Sequence, residues 1–138
     1  MFDSKNLLYI LTMLEAIEKI FIYSADFENE EKFYLANKQL NFNASVNLLI
    51  AIGEENKKID EELKTSNKIN WKNLSAMRDK VSHNYRGIDE SMVWEIIKDY
   101  LPTLKILLIE MLPKIENSEL YIKEALKTQY YEELHYLK

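Results

Sequence analysis

The chain of 138 residues contains no cysteine, two glycines, two prolines and two histidines. The absence of cysteine excludes disulfides and thiolate chemistry, and it fits a cytoplasmic protein. With two histidines and no cysteine there is no credible zinc site, so neither a metal nor any other cofactor is expected. Neither an Asn-Gly nor an Asp-Gly dipeptide occurs, which removes the usual signal for β-hairpins. No Gly-rich phosphate loop is present. Apolar runs such as Ile106–Ile109 are far too short to cross a bilayer, and Met1-Phe2-Asp3-Ser4-Lys5 lacks the basic start and apolar run of a signal peptide, so no membrane partner is expected.

What remains is a chain rich in Leu, Ile, Lys, Glu and Asn with helical periodicity, long enough for one domain over 1–138. The spacing predicts an all-α, single antiparallel bundle of about five helices. The first begins near Ser4 as N-cap and carries Leu7, Ile10, Leu14, Ile17 and Phe21 on one stripe, widened by Leu8, Leu11 and Met13. Acidic residues around Glu28–Glu31 lead into a second helix running from about Glu31 to Lys64. Phe33, Leu40, Ala44, Leu48, Ala51 and Ile52 mark its buried side, and Gly53 marks a kink or a close crossing. A short third helix starts at Trp71 with Asn70 as cap and is broken by Gly87. The fourth, capped by Asp89, is expected to bend at Pro102 and to end at Pro113. The fifth runs from about Ser118 to Leu137 within a C-terminal segment, 114–138.

Charge is uneven. The net value is −5, yet residues 68–86 hold Lys68, Lys72, Arg78, Lys80 and Arg86 against Asp79 alone, so this segment is +4 and the remainder −9. A local basic site on an acidic body suits a small phosphate-containing target better than a long duplex; an ordinary solvated face accounts for the pattern about as well. The same segment places Arg78, Asp79, His83 and Tyr85 within eight positions. Arginine clamps a phosphate through two parallel N–H bonds, and histidine gives and takes protons near neutral pH. Together they are a minimal kit for cutting RNA without a metal. On an unbroken helix, however, Arg78 and His83 point about 140° apart, so a joint site requires an irregular backbone after Arg78 or a second subunit. Asp79 and His83, four apart, share a face. The plainer alternative is an Arg78–carboxylate pair, with Glu54 and Glu55 as available partners, a His83 that caps a helix end and a half-buried Tyr85. His135 reads as a surface residue.

The pattern Arg78-x4-His83-x-Tyr85 resembles the signature of HEPN ribonucleases, and more narrowly that of HepT-like toxins of toxin–antitoxin pairs. Further segments are similar to that family: Ile52-Gly53-Glu54-Glu55, Ile69-Asn70-Trp71-Lys72-Asn73-Leu74 followed by Met77-Arg78-Asp79, Val93-Trp94-Glu95-Ile96-Ile97, and Leu101-Pro102-Thr103-Leu104. Together they cover most of residues 5–112; the segment after Pro113 carries no family signature. The resemblance implies a homodimer in which Arg78 holds the scissile phosphate, His83 acts as general acid and base, and Asp79 orients His83. It further implies that Tyr85 receives AMP from an MntA-like nucleotidyltransferase antitoxin, which repels RNA by charge and bulk. Lys72, Lys80 and Arg86 are then candidates for phosphate and RNA contacts. A non-catalytic subunit that binds a nucleotide, or presents substrate to a nucleotidyltransferase, is the alternative; such proteins often lose the Arg/His pair, which this chain retains.

Overall fold

A computed structural model describes the backbone of residues 1–82 and 89–138, with side chains except those of positions 78 and 82. The described residues are helical almost throughout, in one bundle without a strand; a lone bridge ties Phe2 to Ile115. The all-α expectation holds.

Helix α1, Lys5–Ser24, is the centre of the bundle. Its start is held by Asp3, whose carboxylate accepts from the Lys5 amide at 2.9 Å and whose carbonyl accepts from Asn6. Ser4 is already helical and makes no capping bond, so the expected cap lies one residue too late. Between Tyr9 and Phe21 no residue of α1 is exposed. Leu7, Ile10, Leu11, Met13, Leu14, Ala16, Ile17 and Ile20 are buried, which takes the widened stripe round much of the helix. Burial of each large aliphatic side chain is worth roughly 1.5–3 kcal/mol.

The single helix expected from Glu31 to Lys64 is broken. Helix α2, Glu30–Leu35, is capped by Asn29, which accepts from the Lys32 amide at 2.9 Å. A turn follows in which Asn37, Lys38 and Gln39 all adopt left-handed backbone, φ 50°, 57° and 71°. Helix α3, Leu40–Glu55, then restarts in a new phase. Its core residues are Phe42, Val46, Leu49 and Ile52, whereas Leu40 is 65% exposed and Ala51 faces solvent. A 3₁₀ turn at Asn56–Lys58 and the short helix α4, Glu61–Thr65, complete the segment. Gly53 is buried inside α3 without leaving helical geometry.

Helix α5, Trp71–Ser82, packs on α3 and begins at Asn70 as expected, the Asn70 carboxamide accepting from Asn73 at 3.0 Å. The expected break at Gly87 lies outside the described residues. Helix α6, Glu90–Glu95, is capped by Asp89, which accepts from Ser91 and Met92 at 3.0 and 3.2 Å. It widens into a π turn, Ile96–Tyr100, before α7, Leu101–Met111. The expected irregularity near Pro102 is therefore this π turn: the proline has no N–H for the regular ladder, and Leu101 bonds back to Ile96 instead. After Pro113, helix α8, Ser118–Ala125, ends early, and a 3₁₀ run, Gln129–Leu137, turns back onto α1. The predicted fifth helix is thus two pieces: of the apolar residues its spacing offers, Leu126 and Leu134 enter the core together with Tyr131, while Leu120 and Tyr130 are exposed.

One buried polar residue links distant segments. Asn6 is inaccessible; its amide donates to the Asp60 carboxylate at 3.1 Å and its oxygen accepts from the Asp60 amide at 2.9 Å. Asp60 is held below the usual carboxylate range by Asn6 first and by Lys5, 3.3 Å away.

The left-handed turn yields a prediction. An L-residue with a Cβ pays about 1–2 kcal/mol in this conformation, part of which glycine recovers against its own entropic cost. Lys38→Gly is expected to stabilise the protein by about 0.5–1 kcal/mol, read as a higher urea midpoint at unchanged m-value. A lower midpoint contradicts the strained-turn assignment.

Candidate functional site

Helix α5 carries the basic segment, and its sequence dictates how it sits. Leu74, Met77 and Val81, spaced three and four apart, are buried and fix the helix by its apolar face. Ser75 donates to Asn56 at 3.1 Å, and the Asn56 amide in turn donates to the Gly53 carbonyl at 2.6 Å. This joins α5 to the end of α3. At the start of α5 the Trp71 indole donates to the Lys64 carbonyl at 3.0 Å, and the Lys64 ammonium lies 5.5 Å over the indole ring. In the preceding loop the Asn67 amide donates to the Leu107 carbonyl at 3.0 Å. The helix is thereby fixed at its N-terminal end and along its buried side.

The backbone remains helical from Trp71 through Ser82, so no irregularity falls between Arg78 and Ser82. The Arg78 side chain and all of His83, Tyr85 and Arg86 lie outside what the structure describes. Asp79 and Lys72 are exposed, seven residues apart on α5 and hence on one face. Lys80 is exposed as well, about 80° round the helix from Lys72. Of the acidic residues at the end of α3, Glu55 pairs with Lys58 at 3.1 Å, and Glu54 lies 3.4 Å from Lys57.

Lys80 lines an open groove of about 490 Å³ between α5 and the α6–π segment. Asn73, Met77 and Lys80 come from α5 at positions i, i+4 and i+7. Met92, Glu95 and Ile96 face them from α6 and its junction with the π turn, with Asp99 and Tyr100 following. The two walls belong to the helices that flank residues 83–88. The basic segment therefore does not present an unrelieved positive surface here: Lys80 shares its groove with two carboxylates. The Tyr100 hydroxyl is buried with no hydrogen-bond partner among the described residues, and burial raises it above the ordinary phenol range. By spacing, Tyr100 falls on the apolar face of the fourth predicted helix with Ile96, Ile97 and Leu104, which marks it as a packing residue. The available signals were the regular spacing of residues 73, 77 and 80 and the proline at 102, which permits the π turn. Among the described residues no group of three or more His, Asp or Glu side chains is arranged to hold a metal, and no helix is long and apolar enough to cross a membrane.

Comparison with known proteins gives a consistent result. A family model described as ribonuclease HepT-like matches residues 13–111. A protein of Thermococcus cleftensis named "Probable ribonuclease HepT" is 34% identical over 98 residues, which span 70% of this chain and 86% of the relative. A Methanocaldococcus jannaschii protein named "Putative RNase MJ1216" is 34% identical over 118 residues, spanning 85% of this chain and 93% of the relative. A second protein of that organism, "Putative RNase MJ0125", is 35% identical over 104 residues, 75% of this chain and 85% of the relative. No solved structure matches the chain.

The helix that re-enters after residue 88 depends on one side chain. Asp89→Ala removes both capping bonds of a six-residue helix, and such a loss costs about 1 kcal/mol. Hydrogen exchange is expected to show faster opening of the Ser91 and Met92 amides with α1 unaffected. Unchanged protection at these amides contradicts the assigned cap.

Proposed function

This chain belongs to the ribonuclease HepT-like family, and from that premise we propose that it is a metal-independent RNA endonuclease using Arg78 and His83. The observation that carries the reading is that the family match, 13–111, runs through Arg78-x4-His83 with both residues present. In this mechanism the Arg78 guanidinium binds the scissile phosphate and the charge that grows on its oxygens. His83 takes the proton from the ribose 2′-OH as that oxygen attacks phosphorus. The bond from phosphorus to the 5′ oxygen breaks, the imidazolium so formed gives up its proton as the departing oxygen gains one, and a 2′,3′-cyclic phosphate and a 5′-OH remain. Asp79, one turn before His83, orients the imidazole.

The backbone is regular helix from Arg78 through Ser82 and offers no irregular turn there to bring the motif together, which favours an Arg/His site shared between two copies of the chain. The protein is accordingly a homodimer with the two motifs near its axis. Its biological role is that of a toxin, silenced when a partner nucleotidyltransferase transfers AMP to the Tyr85 hydroxyl. The added phosphate charge and bulk then keep RNA from the motif.

His83→Ala is expected to abolish cleavage and growth inhibition while leaving the helical circular dichroism spectrum intact, and wild-type cleavage should survive EDTA. Activity that vanishes with chelator and returns with Mg²⁺ contradicts the mechanism. A folded chain that never cleaves RNA supports the non-catalytic alternative instead.

Tyr85→Phe should retain cleavage but escape the partner. Mass spectrometry of the co-expressed pair should place the AMP mass on the peptide containing Tyr85 and nowhere in the variant. A variant still neutralised by a covalent AMP argues against Tyr85 as the acceptor.

A further inference from the structure

We infer that the groove between α5 and the α6–π segment is a nucleobase subsite that selects guanine in the RNA substrate; the role in cleavage rests on the ribonuclease reading above, whereas binding can be tested without it.

The groove has three chemically distinct parts. Its floor is apolar, with Met77 buried and Met92 half-buried. Polarisable thioethers at that depth suit the flat face of an aromatic ring. One rim carries the Lys80 ammonium, the other the Glu95 and Asp99 carboxylates, all three exposed. The third part is the Tyr100 hydroxyl, buried without a hydrogen-bond partner in the wall. Buried polar groups are seldom left unpaired, and a small shift of the groove wall brings this hydroxyl to a ligand that enters.

A ligand that satisfies all three is flat, presents N–H donors to a carboxylate and carries an anion within reach of a lysine. A nucleotide has that shape, and about 490 Å³ leaves room for one. The carboxylate decides among the bases. Guanine offers two parallel donors, N1–H and the N2 amino group, to the two oxygens of Asp99. Uracil offers one N–H flanked by two carbonyls, which the carboxylate repels. The Asp99 carboxylate also argues against a bare phosphate as the occupant, leaving Lys80 to meet the phosphate at the edge.

Position ties the groove to the reaction. Its walls belong to the two helices that flank the segment bearing His83, and Lys80 follows Arg78 by two residues on α5. The π turn contributes as well: its extra residue displaces Asp99 and Tyr100 from regular helical register, and such bulges recur at functional sites.

The test uses the full chain with guanosine 5′-monophosphate and uridine 5′-monophosphate as probes, binding followed by amide NMR shifts. The guanosine nucleotide is expected to bind at least about tenfold more tightly, the discrimination of one good bidentate contact, with shifts centred on Asn73, Lys80 and Asp99. Asp99→Asn should erase the preference, and Asp99→Glu should restore part of it. His83→Ala should bind guanosine 5′-monophosphate like the wild type yet cleave nothing. Equal affinity for the two nucleotides, shifts elsewhere on the surface, or a preference that survives Asp99→Asn overturns the subsite. If the nucleotide preference holds but no RNA is cut, the ribonuclease mechanism fails and the subsite stands. Should Asp99→Asn lose its helical spectrum, Tyr100→Phe replaces it. That variant removes only the unpartnered hydroxyl and should weaken guanosine 5′-monophosphate binding several-fold; unchanged binding counts against the site.

Discussion

The burial of α1 on all sides sets the terms for the rest of the molecule. A helix with no exposed residue between Tyr9 and Phe21 cannot be covered by one neighbour. Helix α3 takes one flank, α7 another, and the C-terminal 3₁₀ run closes much of the remainder. Each polar residue caught in that enclosure then needs a partner. Glu15 is buried and meets Lys19 at 2.6 Å; Glu18 meets Lys105 at 2.6 Å. The C-terminal tyrosines complete the cover, with Lys19 lying 5.5 Å over the ring of Tyr130 and Lys105 lying 4.5 Å over that of Tyr136. Burial and then the neighbouring Glu18 push the Tyr136 phenol well above its ordinary range.

Fixing α1 in this way fixes α3, and α3 fixes α5. The link from Ser75 through Asn56 to Gly53 sets the rotation of α5 about its axis, and the buried Leu74, Met77 and Val81 hold it there. Rotation matters because it decides which basic residues face which surface. It sends Lys80 into the groove opposite α6, where Glu95 and Asp99 balance its charge.

The aromatic contacts on the other side of α6 serve the same end. Phe33 sits between Phe27, Phe42 and Trp94, with ring centroids 5.8, 6.0 and 5.5 Å away. Tilted and edge-on pairs of this kind add to ordinary burial. They join α2, α3 and α6 into one layer, so the left-handed turn at residues 37–39, costly by itself, is held in place by packing on both sides. Family membership and packing agree here: the match at residues 13–111 covers this layer and α5, while the closing C-terminal cover lies outside it.

The sequence by itself determined the class of fold, the places where helices start at Asn70 and Asp89, and the family, because caps, periodicity and an ordered motif are local properties. Arg78-x4-His83-x-Tyr85 was legible for the same reason, although His83 and Tyr85 lie outside the described residues. Only the tertiary structure decided the interruptions. Asn37 tolerates left-handed backbone, but nothing in Lys38-Gln39 announces three such residues in a row; packing of α2 against both α3 and α6 holds the turn. The same holds for the split of the last helix, where Tyr131 and Leu134 bury themselves on α1 at the expense of regular hydrogen bonding. It holds for the groove too. Asn73 and Asp99 are 26 positions apart in the sequence, and a side chain's neighbours across two helices follow from how those helices rotate and pack, which no local spacing encodes.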